Sequence, residues 1–288
     1  MTSLPPIRPI LAANPSPLTG SGTNTWLVGG SEIAVIDPGP DLDAHLAAIL
    51  AALGPGQRIT RIIVTHAHLD HSALAPRLAA ATGAPVHAFG TATEGRSALM
   101  QELAPTLPAH GEGLDLSFTP ALRLSDGDSL TGPDYTLTAI HTPGHLGGHL
   151  AFAIGDLLFS GDHVMGWSTS IVSPPDGDMA SYMASLARLS ERRWRRFLPG
   201  HGAPVETPEQ RLAELTRHRR GREAQILAAL EAGPATIPDL TARVYHDTPG
   251  PLLPAAERNV FAHLVDLHSR ALAKAEPALH PDARFALA

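Results

Sequence analysis

Three histidines and an aspartate fall within six residues of this chain, at His66, His68, Asp70 and His71. Imidazole nitrogens and carboxylate oxygens are ordinary ligands of zinc and related divalent cations, whereas no hydrophobic core needs this composition for packing. His66 and His68 are two residues apart, so in an extended chain both side chains point to the same side and can bind one cation. Asp70 and His71 lie beyond the predicted strand end, where they can face a second cation.

Three later segments repeat the arrangement of an apolar strand, a turn and a candidate ligand. They present His145, Asp162 and His201, each with a glycine close by that permits a positive φ angle and close backbone approach. The first cluster likewise follows an apolar run, residues 61–64, which predicts a buried strand. Four such strand ends in one chain predict a rigid metal site assembled from distant parts of the sequence.

The pattern His-x-His-x-Asp-His, followed by a distant histidine, an aspartate and a final histidine, resembles the signature of the metallo-β-lactamase-fold superfamily. The resemblance implies an α/β fold, a four-layer αββα sandwich, that holds two divalent cations. By position, the first cation would be bound by His66, His68 and His145. The second would be bound by Asp70, His71 and His201. Asp162 would bridge both cations, and Asp70 and Asp162 would take part in catalysis.

Other residues close to these ligands are candidates for orienting them or for contacting substrate. Asp37, at the end of a predicted strand, matches an aspartate of the family, and we expect it to orient a metal ligand. The remaining candidates are neighbours of the later ligands: His149, His163, Ser168, Thr169 and Ser170. For each of them, a local hydrogen-bonding role or a place in a polar loop is the simpler interpretation.

Beyond His201 the chain is similar to the β-lactamase-like protein 2 branch of the superfamily, which appends a small winged-helix-like α+β domain to the hydrolase. The resemblance implies a hydrolase domain over residues 1–221 and a winged-helix-like domain over residues 222–288. Three helical patterns and a predicted strand pair, residues 272–277 with 283–287, fit that domain. The five basic and eight acidic residues of 223–288 argue against duplex DNA as a partner, so we expect the domain to pack on the hydrolase or to form a homodimer.

Composition limits the chemistry further. The chain has no cysteine, so any metal must be held by nitrogen and oxygen. We expect two divalent cations, Zn²⁺ first, with Mn²⁺ or Fe²⁺ as alternatives. No apolar run is long enough to span a membrane, and we expect a cytoplasmic protein. Residues 188–222 hold ten arginines and four glutamates, which would attract a phosphate-bearing substrate or form a solvated helix face.

The ligand set predicts hydrolysis by a hydroxide that bridges the two cations, because metal coordination lowers the pKa of water from about 16 to about 7. The bond that is cleaved stays open. One hypothesis is a phosphodiesterase or endoribonuclease that acts on single-stranded RNA. The alternative is a hydrolase of a small acyl substrate, a thioester, ester or lactone, because glyoxalase II is similar around His145; weak β-lactam cleavage would fit as a side activity.

Two further hypotheses fit the ligand set less well. A single iron with dioxygen, as in the persulfide dioxygenases of the superfamily, would not need the full ligand set. A non-enzymatic binding protein would hold its ion for structure alone, and a carboxylate-bridged set of seven ligands is poorly suited to that role.

Overall fold

In the computed structural model, residues 4–107 and 113–288 are described, and they form two sheets, a hairpin and eight α-helices. The strands of the first sheet are β1 (Ile7–Leu11), β2 (Asn24–Val28), β3 (Glu32–Ile36), β4 (Arg58–Ile63), β5 (Val86–Ala88) and β6 (Leu122–Arg123), in that spatial order. Those of the second are β7 (Ser129–Thr131), β8 (Thr136–His141), β9 (Leu150–Ile154), β10 (Leu157–Gly161) and β11 (Arg196–Pro199), in the order β11-β10-β9-β8-β7.

The two sheets pack face to face through large apolar side chains. Trp26, Ile36 and Ile63 of the first sheet share one buried cluster with Phe152 and Phe159 of the second. The rings of Trp26 and Phe159 meet edge-on with centroids 5.9 Å apart, a favourable arrangement for aromatic quadrupoles. The longer strands contribute alternate residues to this layer, as Leu150, Phe152 and Ile154 of β9 do, while alternate residues such as Ile33 and Val35 of β3 pack toward the helices.

Helices cover both outer faces. The helices are α1 (Asp43–Ala51), α2 (Leu69–Ser72), α3 (Ala75–Thr82), α4 (Ala98–Leu103), α5 (Met179–Ser190), α6 (Pro208–Glu231), α7 (Ile237–Val244) and α8 (Leu253–Ser269). Ile49 of α1 and Leu78 of α3 pack on the first sheet, and Leu186 of α5 and Leu212 of α6 pack on the second. The predicted four-layer αββα sandwich is therefore confirmed. None of the described helices combines the length and the apolar character that crossing a membrane requires.

The C-terminal region has its own apolar core. Leu240 of α7, Leu264 of α8 and Phe285 of the hairpin β12 (Ala273–Glu276) and β13 (Arg284–Leu287) belong to one cluster, so the predicted winged-helix-like fold is confirmed. The domain boundary expected at 221/222 falls inside α6, which runs through Gly221 without a break. A glycine inside a helix costs roughly 1 kcal/mol relative to alanine, which buried residues on both sides offset. The exact division between the two domains stays a prediction.

Candidate metal centre

The candidate ligands gather at one edge of the sandwich because parallel strands end there. Strand β3 runs parallel to β4, and β10 runs parallel to β11. Asp37 follows β3, His66 lies three residues beyond the end of β4, Asp162 follows β10 directly and His201 follows β11. His145 lies in the loop between β8 and β9. Residues as far apart as 37 and 201 therefore meet in one place.

The first group consists of His66, His68 and His145. His68 Nδ1 lies 2.9 Å from His66 Nε2 and 3.1 Å from His145 Nε2. Ligand nitrogens around a tetrahedral zinc ion with bonds of 2.0–2.1 Å are roughly 3.3 Å apart, so the spacing suits one such ion. Three imidazoles turned inward without a carboxylate or carbonyl between these nitrogens form a donor set that a cation fits.

The second group consists of Asp70, His71 and His201. His201 Nε2 lies 3.2 Å from both His71 Nε2 and Asp70 Oδ2. Asp162 lies between the two groups: its carboxylate is 3.4 Å from His71 Nε2, 3.3 Å from His201 Nε2 and 3.8 Å from His145 Nε2. Asp162 Oδ1 is buried and makes no hydrogen bond to a described residue. An orphaned buried carboxylate oxygen is costly unless a cation meets it.

The two groups differ in electrostatics. Burial, with help from the charge of a neighbouring imidazole, lowers the pKa of His68 to about 3, so that ring is neutral and free to bind a cation at pH 7. Burial acts on His71 and His201 as well, but the carboxylates of Asp162 and Asp70 outweigh it and raise both pKa values, that of His201 to about 10. Binding of a cation at the second group must therefore release protons.

Three of the five ligand rings are fixed from behind by a hydrogen bond at the second nitrogen. His71 Nδ1 is 3.0 Å from Asp37 Oδ2, His145 Nδ1 is 2.7 Å from the Ile171 carbonyl, and His201 Nδ1 is 3.1 Å from the Gly22 carbonyl. A carboxylate or carbonyl at this position sets the tautomer and the orientation of a ligating imidazole. The rings are held ready before any cation binds.

Asp37, at the end of β3, is hydrogen-bonded to Thr65 just beyond the end of β4. It is buried and has a positive φ of 52°, a conformation that non-glycine residues adopt rarely and that aspartate tolerates better than most. Its Oδ1 accepts a hydrogen bond from the Thr65 amide at 2.7 Å, and its Oδ2 accepts one from the Thr65 hydroxyl at 2.9 Å as well as facing His71. This placement supports the predicted role of Asp37 as an orienting residue.

Replacing Asp37 by alanine is expected to weaken cation binding at the second group by about 10- to 100-fold, because His71 loses the carboxylate that orients its ring. Competition titration with a chromogenic chelator measures the affinity. The matched control is Asp41→Ala, a nearby aspartate paired with Arg77 at the surface. Equal affinities for the two variants would show that Asp37 does not orient the site.

The other predicted candidates fall into two sets. His149, His163 and Ser170 are fully buried behind the ligands. The His149 ring lies 5.2 Å from that of His66, and the Ser170 hydroxyl donates to the Asp162 and His163 carbonyls. Ser168 and Thr169 instead line the cavity in front of the ligands. Substrate contact therefore stays a prediction for Ser168 and Thr169. His149, His163 and Ser170 lie where they can support the ligands.

A cavity of about 720 Å³ opens in front of the site. His68, Asp70, His145, Asp162 and His201 line it, together with apolar side chains of the loops around residues 18 and 167. The C-terminal region closes it with groups that sequence reasoning missed: His218, Arg222, Tyr245, Leu252, Arg258 and Asn259. These residues follow no ligand-like pattern, and apart from His218 their only sequence signal is membership of the predicted second domain.

The C-terminal region also supports the site from behind. Asn259 Oδ1, on α8, accepts hydrogen bonds from the Val172 amide at 3.1 Å and from Arg219 Nη1 at 3.0 Å. Arg219, fully buried on α6, also donates to the Ser170 carbonyl, and its guanidinium lies 5.0 Å from the ring centre of Tyr182. The segment from Ser170 to Val172 carries the carbonyl that orients His145, so both helices contribute to its position.

The arginine-rich segment 188–222 is mostly engaged in local structure. Arg188, Arg195, Arg196 and Arg211 pair with Asp126, Asp156, Glu206 and Glu214. Exposed pairs of this kind contribute little stability but do neutralise the surface. The basic patch that the composition suggests is therefore partly compensated, and the arginine of this segment that lines the cavity is Arg222.

Comparison with known proteins agrees with this geometry. The profile of the Metallo-beta-lactamase superfamily matches residues 18–201, and that of the Beta-lactamase associated winged helix domain matches residues 236–280. The chain is 33% identical over 272 residues to a Beta-lactamase-like protein 2 homolog of Drosophila melanogaster, covering 90% of this chain and 86% of the relative.

Two other proteins extend the comparison. An Atrochrysone carboxyl ACP thioesterase of Aspergillus fumigatus is 30% identical over 233 residues, which cover 79% of this chain and 65% of the relative. The crystal structure of the metallo-beta-lactamase family protein TTHA1429 of Thermus thermophilus superposes with a TM-score of 0.77 at 24% identity, covering 98% of both chains. The second likeness includes the C-terminal region and concerns the fold.

Proposed function

This chain belongs to the metallo-β-lactamase superfamily, whose members are metal-dependent hydrolases, and from that premise we propose that it hydrolyses an acyl thioester with the help of two divalent cations. His66, His68 and His145 would hold one cation and Asp70, His71 and His201 the other, with Asp162 in contact with both. The chemistry that the cations supply when bound is Lewis acidity at the carbonyl and a water molecule of lowered pKa. Zn²⁺ is the expected metal, with Mn²⁺ or Fe²⁺ as alternatives.

The observation that favours an acyl substrate is the apolar surface beside the metal ligands. Leu18, Leu69 and Trp167 are 42%, 48% and 45% exposed, and all three line the cavity. Exposed large apolar side chains grouped at a cavity mark a surface that a ligand covers. An acyl chain buries such surface, whereas the sugar and phosphate of RNA do not. The thioesterase among the relatives adds support.

The protein's own residues bind and position this substrate. Trp167 packs over Gly20 and Gly202, where an added Cβ would come within 3.3 Å and 2.4 Å of its indole. Both glycines have positive φ, so the close packing holds the ring in place without strain. A fixed indole next to His201 forms one wall for the acyl chain. The cavity volume of about 720 Å³ is within the range of small-molecule sites.

Hydrolysis of a phosphodiester in single-stranded RNA is the second candidate. It is favoured by Arg222 and Arg258, which line the same cavity, and by Trp167 and Tyr245, on which bases could stack. The ligand set itself suits attack on phosphorus as well as on carbon. The partial compensation of charge in segment 188–222 and the limited cavity volume make RNA the weaker candidate.

The test is an assay of the full-length, zinc-loaded chain on S-acyl-N-acetylcysteamine thioesters of increasing acyl length, with single-stranded RNA in parallel. Each methylene that is buried contributes about 0.8 kcal/mol, so kcat/KM is expected to rise about fourfold per methylene over short chains. Trp167→Ala should flatten that rise, and elemental analysis should show that its metal content is unchanged. RNA cleavage without thioester turnover would overturn the proposal in favour of the second candidate.

A further inference from the structure

We propose that the wall of the cavity formed by α6 and α8 is a phosphate-binding subsite, built on Arg222 and Arg258. It rests on the proposed function, because the phosphate would belong to the carrier half of the thioester, with the acyl half against Trp167. Both arginines line the same cavity as His145 and Asp162. One ligand that enters the cavity can therefore contact the metal-binding residues and the arginines together.

The guanidinium group of Arg222 is held in place by contacts that leave some of its N–H groups without a hydrogen bond to a described residue. Its Nη1 donates to Gln225 Oε1 at 3.0 Å and to the Val244 carbonyl, and the guanidinium lies 4.1 Å from the ring centre of Tyr245. Its Nη2 donates to no atom of the residues that the structure describes, whereas its Nε is buried. The N–H groups of Nη2, on a guanidinium that is held in place, can donate to a phosphate oxygen.

Arg258 adds a second cation without a local counter-charge. It is half-buried on α8, and neither it nor Arg222 forms an ion pair within residues 4–107 and 113–288. The acidic groups of the cavity are engaged elsewhere: Asp70 and Asp162 face the histidines, and Asp176 pairs with Arg96. Two guanidinium groups without a counter-charge in the wall of one cavity favour an anionic ligand that neutralises them.

His218, four residues before Arg222 on α6, lies close to the same positive charges. Burial lowers its pKa, and the charges of Arg219, Arg222 and Arg211 lower it further, to about 4. The ring is therefore neutral at pH 7 and offers an N–H donor without adding charge. His218 also lines the cavity, next to Arg222.

The arrangement favours phosphate over a carboxylate. Two guanidinium groups and a neutral imidazole supply more donors than the two oxygens of a carboxylate can accept. A phosphate offers more oxygens and more charge, and arginine recognises it through paired hydrogen bonds. The substrate class that follows is an acyl thioester whose carrier bears a phosphate, as a phosphopantetheine thioester does.

The experiment compares kcat/KM of the zinc-loaded, full-length chain on an acyl 4′-phosphopantetheine thioester and on the corresponding acyl N-acetylcysteamine thioester, which lacks phosphate. We expect Arg258→Gln to reduce the preference for the phosphate-bearing substrate by about 10- to 100-fold, mainly through KM, because charge-assisted hydrogen bonds are lost. Arg222→Gln should act in the same direction. The matched control is Arg220→Gln, an exposed arginine on α6 that does not line the cavity.

Calorimetric titration with inorganic pyrophosphate separates the subsite from the thioesterase proposal, because it requires no turnover. Tighter binding to the wild type and to Arg220→Gln than to Arg258→Gln supports the subsite even if no thioester is cleaved. Equal binding to all three proteins, together with an unchanged substrate preference, overturns it. RNA cleavage that Arg258→Gln weakens, without thioester turnover, would assign the phosphate to RNA and reject only the thioester.

Discussion

Replacing Asp162 by alanine is expected to lower turnover by roughly 10³-fold and to reduce the metal bound per chain in the same preparation. Loss of one preorganised electrostatic group costs about 10²- to 10³-fold in rate, and Asp162 is proposed to contact both cations as well. Its carboxylate lies 3.3 Å from His201 Nε2 and 3.8 Å from His145 Nε2, so it is within 4 Å of a ligand atom in each group. Elemental analysis and the thioester assay measure the two effects.

Two further variants make this result interpretable. Asp156→Ala removes an exposed aspartate just before β10, the strand that ends next to Asp162. Asp156 pairs with Arg195, and its loss should leave metal content and rate at wild-type values. Asp162→Asn keeps the shape of the side chain but removes its charge, so it should resemble Asp162→Ala. Wild-type stoichiometry and turnover in both Asp162 variants would remove this residue from the site.

The convergence of the candidate ligands could be predicted from the sequence because each follows an apolar strand. A buried strand has a recognisable composition, and the ends of neighbouring parallel strands lie at one edge of a sheet. This rule predicts that His66 after β4 and His201 after β11 lie at the same site, and the structure brings their groups together around Asp162. The hairpin of β12 and β13 was predictable for the same reason, from two short strand patterns close together in the chain.

The cavity walls could not be predicted in this way. Trp167 acquires its position from two glycines, one near each end of the hydrolase region, and neither contact is visible in local sequence. Arg219 looks like any other arginine in a basic segment, yet it is fully buried while its neighbour Arg220 is exposed. Which arginine turns inward depends on where Asn259 lies, forty residues away. Tertiary packing, not composition, separates the two.

Asn259→Ala is expected to lower the free energy of unfolding by about 3 kcal/mol, because it leaves two buried donors, the Val172 amide and the Arg219 guanidinium, without their acceptor. The effect should extend to the metal centre. The segment from Ser170 to Val172 carries the carbonyl 2.7 Å from His145 Nδ1, so a displaced segment no longer orients that ring. Cation affinity at the first group should fall by about 10- to 100-fold.

Asn259→Asp is the matched variant that distinguishes orientation from general damage. A carboxylate keeps an oxygen for the Val172 amide and adds a charge partner for Arg219, which is buried without a carboxylate among its described contacts. It loses the N–H that Asn259 Nδ2 donates to the Ala255 carbonyl at 3.0 Å. Because removing the acceptor of a buried guanidinium is more destabilising than removing one neutral donor, Asn259→Asp should retain more stability and cation affinity than Asn259→Ala. Urea unfolding and chelator competition measure both quantities. If Asn259→Ala lost stability but bound cations with wild-type affinity, α8 would support the fold without orienting His145.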